Sequence, residues 1–243
     1  MKNIESVIDE CVVAIDGVKV SGLYKGSPEF DNADYWFKQY NVVAELKCLM
    51  EDKGQDTKTQ EKVQVILDDH LYGVESKLVI FGDVVVNSKD VSERCTKDIA
   101  EVYRRPIHGV IKKANKQIRE TKLRLDATGA HGLLIIINDK NTALDPSHAM
   151  WMVMETLRRG GFQSIDSVLY ITLDLLAYLA NVSNGVRVWL QLYRDKENVC
   201  PQELYDRLRA EIYEHSKHVN GEPFLLIDVT NPEFFREVSN KKI

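Results

Sequence analysis

The run VVAELKCLM at residues 42–50 restricts the fold more than any other stretch of this chain. Read as a strand, it sends Val42, Ala44, Leu46, Cys48 and Met50 one way and Val43, Glu45, Lys47 and Leu49 the other. Both faces are mostly apolar, the pattern of a strand covered on both sides. Glu45 and Lys47 nevertheless share one face inside that run. A buried carboxylate and a buried ammonium each cost several kcal/mol, roughly, unless they are paired or bound. One reading is a structural ion pair at a strand end. The other needs a second carboxylate nearby, and the preceding strand, DYWFKQY from residue 34, offers Asp34. A short turn near Asn41 would set the two strands side by side and bring Asp34 to Glu45. Two acids and a lysine at such a point make an oxygen-rich site for a hard divalent cation, with a cationic group beside it.

This D…ExK arrangement resembles the PD-(D/E)XK nuclease superfamily, whose members share the restriction-endonuclease-like fold. The resemblance implies that Asp34 and Glu45 hold magnesium or manganese and that Lys47 orients or activates the attacking water. It also implies one further acid from the first helix, Glu5 or Glu10. Each of these, taken by itself, reads as a solvated helix acid. Ala33 stands where the family often has proline. The resemblance covers roughly residues 3–50 and 100–195, and it predicts an α/β protein with a mixed central sheet flanked by helices.

Helical spacing over residues 3–16 buries Ile4, Val7, Ile8, Cys11, Val12 and Ile15, with Asn3 as N-cap. VKVSGLYK, residues 18–25, predicts a first strand broken near Gly22. The order helix, strand, strand, strand is that of the resembled core. Residues 51–97 read as an insertion containing a helix and a strand at 77–87. Its Asp68, Asp69 and His70 are adjacent on a helix, do not face one point, and read as a solvated helix end. GLLIIIND at residues 132–139 is a short apolar run between glycine and polar residues, as for a central buried strand. A helix over 145–159 starts at Asp145 and Pro146 and ends at Gly160 and Gly161. Two strands, SIDSVLYITLD and GVRVWLQLYRD, follow, joined by a turn at NVSNG. A helix from Pro201 and a last strand at 223–229 complete the chain. No linker separates two halves, so the pattern predicts one domain, 1–243, with residues 200–243 as an extension or a dimer-forming element. A homodimer is one arrangement this leaves open.

Residues 104–124, RRPIHGVIKKANKQIRETKLR, form the second informative stretch. Pro106 fits a first-turn position, and Ile107, Val110, Ile111, Ala114 and Ile118 form an apolar stripe. Eight cations, Arg104, Arg105, Lys112, Lys113, Lys116, Arg119, Lys122 and Arg124, stand against one acid, Glu120. The segment therefore carries +7 in a chain of net charge −5, and the remainder carries −12. Solvated helix faces usually mix signs. One-signed clustering in an acidic chain predicts a phosphate-binding surface, with Arg104, Arg105, Lys112, Lys113, Lys116, Gln117 and Arg119 as candidate contacts. In the resembled fold such a helix packs beside the active site, and in some branches a Gln or Lys from it approaches the scissile phosphate. Lys113, Lys116 and Gln117 are the candidates here. His108 reads as packed or capping.

The resemblance, with the basic segment beside it, implies a magnesium-dependent nuclease, an endonuclease before an exonuclease, with DNA favoured over RNA. A catalytically silent nuclease-fold protein that binds nucleic acid or a partner is the second reading. A small-molecule α/β enzyme ranks third, because phosphate loop, nucleophile elbow and dinucleotide fingerprint are all missing. NDKN at 138–141 does not make a GTPase without a phosphate loop upstream. Cys11, Cys48, Cys95 and Cys200 are far apart with no CxxC, which argues against zinc and for reduced thiols of a cytoplasmic protein. MKNIESVIDE has no apolar signal core, and no run approaches the roughly 20 apolar residues of a membrane span.

Overall fold

The computed structural model describes residues 4–24, 30–49, 56–71, 92–139, 141, 146–173, 187–195, 197–220 and 224–226. Its elements are α1 (Ile4–Ala14), β1 (Val18–Lys19), β2 (Tyr35–Phe37), β3 (Val42–Leu49), α2 (Thr57–Leu71), α3 (Glu93–Arg124), β4 (His131–Asn138), α4 (Pro146–Arg158), β5 (Ser167–Ile171), β6 (Arg187–Tyr193), α5 (Gln202–Asn220) and β7 (Phe224–Leu226). The expected caps Asn3 and Asp145, the strand at 77–87 and the turn at 181–185 lie outside the described residues.

Among the described residues, seven strands form one mixed sheet in chain order. The pairs β1–β2, β2–β3 and β5–β6 are antiparallel, and β3–β4, β4–β5 and β6–β7 are parallel. All eight residues of β4 and all five of β5 are buried. Their runs of Leu, Ile and Val have no polar face because helices cover both sides. On one side Leu134, Ile136, Val168, Val188 and Leu190 meet Ile107, Ile111, Ala114 and Ile118 of α3 and Ala149, Met152 and Val153 of α4. On the other, Val42, Ala44, Leu133, Ile135 and Trp189 meet Ile8, Cys11 and Val12 of α1 and Leu204, Tyr205 and Leu208 of α5. The molecule is thus an α/β layered structure. The described part of the 200–243 extension belongs to the same core.

Two elements differ from the sequence expectation. The first strand is only two residues long and passes into a 3-10 turn at Val20–Leu23. The basic helix begins about three turns earlier than expected, at Glu93, where Ser92 Oγ accepts from the Cys95 N–H. Pro106 therefore sits inside α3. It lies on the exposed side, where water can replace the donor that proline lacks. The end of the expected insertion, 93–97, is the start of α3, and α2 packs against this helix. His70 at the end of α2 is not simply solvated: its Nε2 lies 2.9 Å from Asp98 Oδ2 of α3.

The N-terminal ends of β4 and β5 are fixed by a polar network. Asp166 Oδ2 accepts from Gly132 N at 2.7 Å and from Lys122 Nζ at 3.3 Å. A Cβ added at Gly132 would lie 1.8 Å from the Ser164 carbonyl oxygen, which is backbone and cannot swing away. Gly132→Ala is therefore expected to destabilise the fold by about 3 kcal/mol, the upper range for overpacking. Thermal denaturation checks it; an unchanged midpoint would mean that this close approach yields without cost.

No described helix is long and apolar enough to cross a membrane. All four cysteines are free, and Cys11, Cys95 and Cys200 are buried. Burial pushes the Cys11, Cys48 and Cys200 thiols up to about 12, so they are packing groups, not nucleophiles.

Candidate active site

The site grows from the β2–β3 hairpin. Phe37, Trp36 and Tyr35 pair with Val42, Val43 and Ala44. Asp34 directly precedes Tyr35, the partner of Ala44, and its carboxylate lies next to Glu45. The turn between the strands ends at Asn41, whose left-handed backbone (φ 51°) suits asparagine. Because side chains alternate, Glu45 and Lys47 share the face of Val43, which packs under α3. Asp34 is locked in place by the Leu46 N–H, which donates to its Oδ2 at 2.8 Å.

Glu45 is 1% exposed. Lys47 Nζ donates to Glu45 Oε1 and, at 3.1 Å, to Gln117 Oε1 of α3. Gln117 in turn donates to the Asn32 carbonyl at 2.9 Å, and the Ala33 N–H donates to Thr121 Oγ1 at 2.7 Å. Two residues one helical turn apart on α3 thus hold the backbone just before Asp34. Burial lifts the Glu45 carboxyl most, the Asp34 charge lifts it further, and the Lys47 ammonium pulls it back; the balance is about 8. Glu45 Oε2 is buried and has no hydrogen-bond donor among the described residues.

These observations fit a divalent cation. A crowded pair of acids and a buried oxygen without a donor are what a hard cation relieves. Among the described residues, Asp34 and Glu45 are the side chains at this point that could hold one. Among the described residues, no group of three or more His, Cys, Asp or Glu side chains is placed around one metal ion. The first-helix acid is therefore not gathered to the pair. Glu10 lies 3.6 Å from His215 Nε2 of α5, and Glu5 acts on Cys48. The physical reason is that α1 covers the opposite face of the sheet, with Val42, Ala44 and Leu46.

The basic segment divides. Lys112, Lys113, Lys116, Arg119 and Arg105 are exposed, as the charge clustering implied. Arg104 is not available to a phosphate: it is buried, donates from Nε to Glu101 at 2.8 Å and reaches Thr156. Lys122 is likewise buried, against Asp166 and the Ser164 carbonyl. Gln117 is buried too, and it bonds Lys47 rather than solvent. His108 packs edge-on to Phe162 with ring centroids 5.5 Å apart. Sequence reasoning missed Asn32, Thr121 and Asp31. A threonine continuing the apolar stripe of α3 was the one available signal.

A second polar constellation lies at the starts of β4 and β5. His131 Nε2 is 2.7 Å from Ser167 Oγ, and His131 Nδ1 is 3.1 Å from Asn198 Oδ1. The spacing is that of a nucleophile, a base and an orienting group. Ser167 has no exposed surface, and the Tyr205 hydroxyl also bonds its Oγ at 3.2 Å. No substrate reaches that oxygen, so the network serves the strand ends.

No protein-family model, no curated protein and no solved structure matches this chain.

Proposed function

We propose that this protein is a metal-dependent nuclease that hydrolyses phosphodiester bonds, in DNA before RNA. The observation that carries the proposal is the convergence of Asp34, Glu45 and Lys47 at the β2–β3 hairpin, with an orphaned carboxylate oxygen among them. The order of helix, three strands and then a helix beside the motif strand is that of the restriction-endonuclease-like core, and it supports that finer reading of the α/β fold.

In this reading Asp34 and Glu45 hold magnesium or manganese. The bound ion supplies Lewis-acid polarisation of a phosphoryl oxygen and lowers the pKa of a bound water. Asp34 contributes a fixed oxygen, because the Leu46 N–H sets its rotamer. Glu45 contributes charge from a dry position. Lys47 uses two of its three donors on Glu45 and Gln117, which leaves one to hold the attacking water or the charge that builds on the phosphate. The exposed cations of α3 hold the backbone without reading bases.

Asp34→Asn tests the reading. It keeps an acceptor for the Leu46 N–H and removes the charge, so the fold should survive. Magnesium-dependent single-turnover cleavage of a labelled duplex is expected to fall by on the order of a hundredfold or more. Near-normal cleavage would put the site elsewhere.

A further inference from the structure

The loop that leads into the site carries an acid that the proposed chemistry leaves unused. Lys116 Nζ donates to Asp31 Oδ2 at 3.0 Å. Asp31 is held there by its neighbours. The Asn32 carbonyl accepts from Gln117, and the Ala33 N–H bonds Thr121, so residues 31–34 follow the surface of α3. Lys116 precedes Gln117, which bonds Lys47. The bond from Lys116 holds the Asp31 carboxyl below the usual carboxylate range, and Lys113 and then Lys47 add to the effect from further away. Both ends of the pair are about half exposed, with side-chain exposures of 51% for Lys116 and 55% for Asp31. An ion pair so placed is weak and exchangeable.

We propose that Asp31 stands in for a backbone phosphate of the substrate strand on Lys116, beside Lys113 and Lys47, and that it leaves Lys116 when the strand seats. The proposal rests on the nuclease reading. A carboxylate and a phosphodiester each present one negative charge and two equivalent oxygens, so an ammonium that holds one can hold the other. Lys116 is then a phosphate-binding residue whose affinity is reduced by an acid of the same chain, and Asp31 suppresses weak, non-productive binding.

The test uses a labelled DNA duplex in calcium, with the full chain as wild type, Asp31→Asn, Lys116→Ala and the double variant. Asp31→Asn should bind about three- to tenfold more tightly at low salt. Its slope of log K against log salt should stay close to that of wild type, because Lys116 neutralises the same phosphate in both complexes. Lys116→Ala should weaken binding and flatten the salt slope by about 0.9, the loss of one phosphate contact, and it should abolish the tighter binding in the Asp31→Asn background. Asp31→Asn binding with unchanged affinity, while wild type still binds and cuts, overturns this proposal alone. Equally tighter binding with Lys116 removed would be a general charge effect and also overturns it. If neither wild type nor Asp31→Asn binds or cuts the duplex, the nuclease reading falls with it.

Discussion

Lys47→Met is expected to lose the chemical step by on the order of a hundredfold or more while DNA binding persists. Methionine keeps most of the lysine stem and removes the ammonium. The variant leaves Glu45 without its cation, and a buried charge stripped of its partner costs about 3–5 kcal/mol if it stays charged. Glu45 has an escape, because its carboxyl already titrates at about 8 and can take a proton instead. The fold should therefore survive with a lowered thermal midpoint. Binding of a duplex in calcium should change little, since it depends on Lys112, Lys113, Lys116 and Arg119, which remain. Single-turnover cleavage and a binding assay, run side by side, separate the roles. Parallel loss of both would make Lys47 a docking residue. Failure to fold would make it the structural half of an ion pair, which is the first reading its position on β3 allows.

The second large effect concerns pH and needs no substrate. Glu45 has a folded-state pKa of about 8 against an ordinary value of 4.5. The folded chain thus holds this proton more tightly than the unfolded chain does. Its contribution is fully present below pH 4.5 and is lost as pH rises to about 8, with an upper limit of about 5 kcal/mol. Glu45→Gln cannot ionise, and its carbonyl can still accept from Lys47. Without metal, the stability of the variant relative to wild type should rise across that window and level off above it. Other groups, such as the buried Lys122 and His131, titrate in both proteins and cancel in the comparison. Magnesium should raise the wild-type midpoint at pH 8 and leave the Glu45→Gln midpoint nearly unchanged. Thermal scans between about pH 5 and pH 9 decide it; parallel curves for the two proteins would mean that Glu45 is not a strained acid.

The two-fold alternation of β3 made its faces legible in the sequence, and the hairpin around Asn41 followed from the strand lengths. The alternating helices and strands after residue 100 likewise announced an α/β sheet. Charge was harder to read than apolar pattern. A count of cations cannot say which way each points. Arg104 and Lys122 continue the spacing of Ile107, Ile111 and Ile118, and that spacing turns them inward. Pro106 misled because proline favours helix starts, yet an exposed interior position tolerates it. Asp31 and Asn32 were invisible, and Thr121 showed only as a continuation of the α3 stripe, because the bonds that tie this loop to α3 span 85 to 88 residues of chain. Nothing local marks such a bond.

The left-handed residue at Asn41 and the ladder on either side of it bear on how this chain can vary over time. Side chains on paired strands change face with every residue, so one residue added or removed within Tyr35–Phe37 or Val42–Ala44 would send one acid to the α1 side. A length change inside either strand is therefore expected to cost the site, whereas one in the turn at 38–41 leaves the ladder intact. Length variation is also free to accumulate between β3 and α3, where added chain leaves the Asp34–Glu45 register untouched.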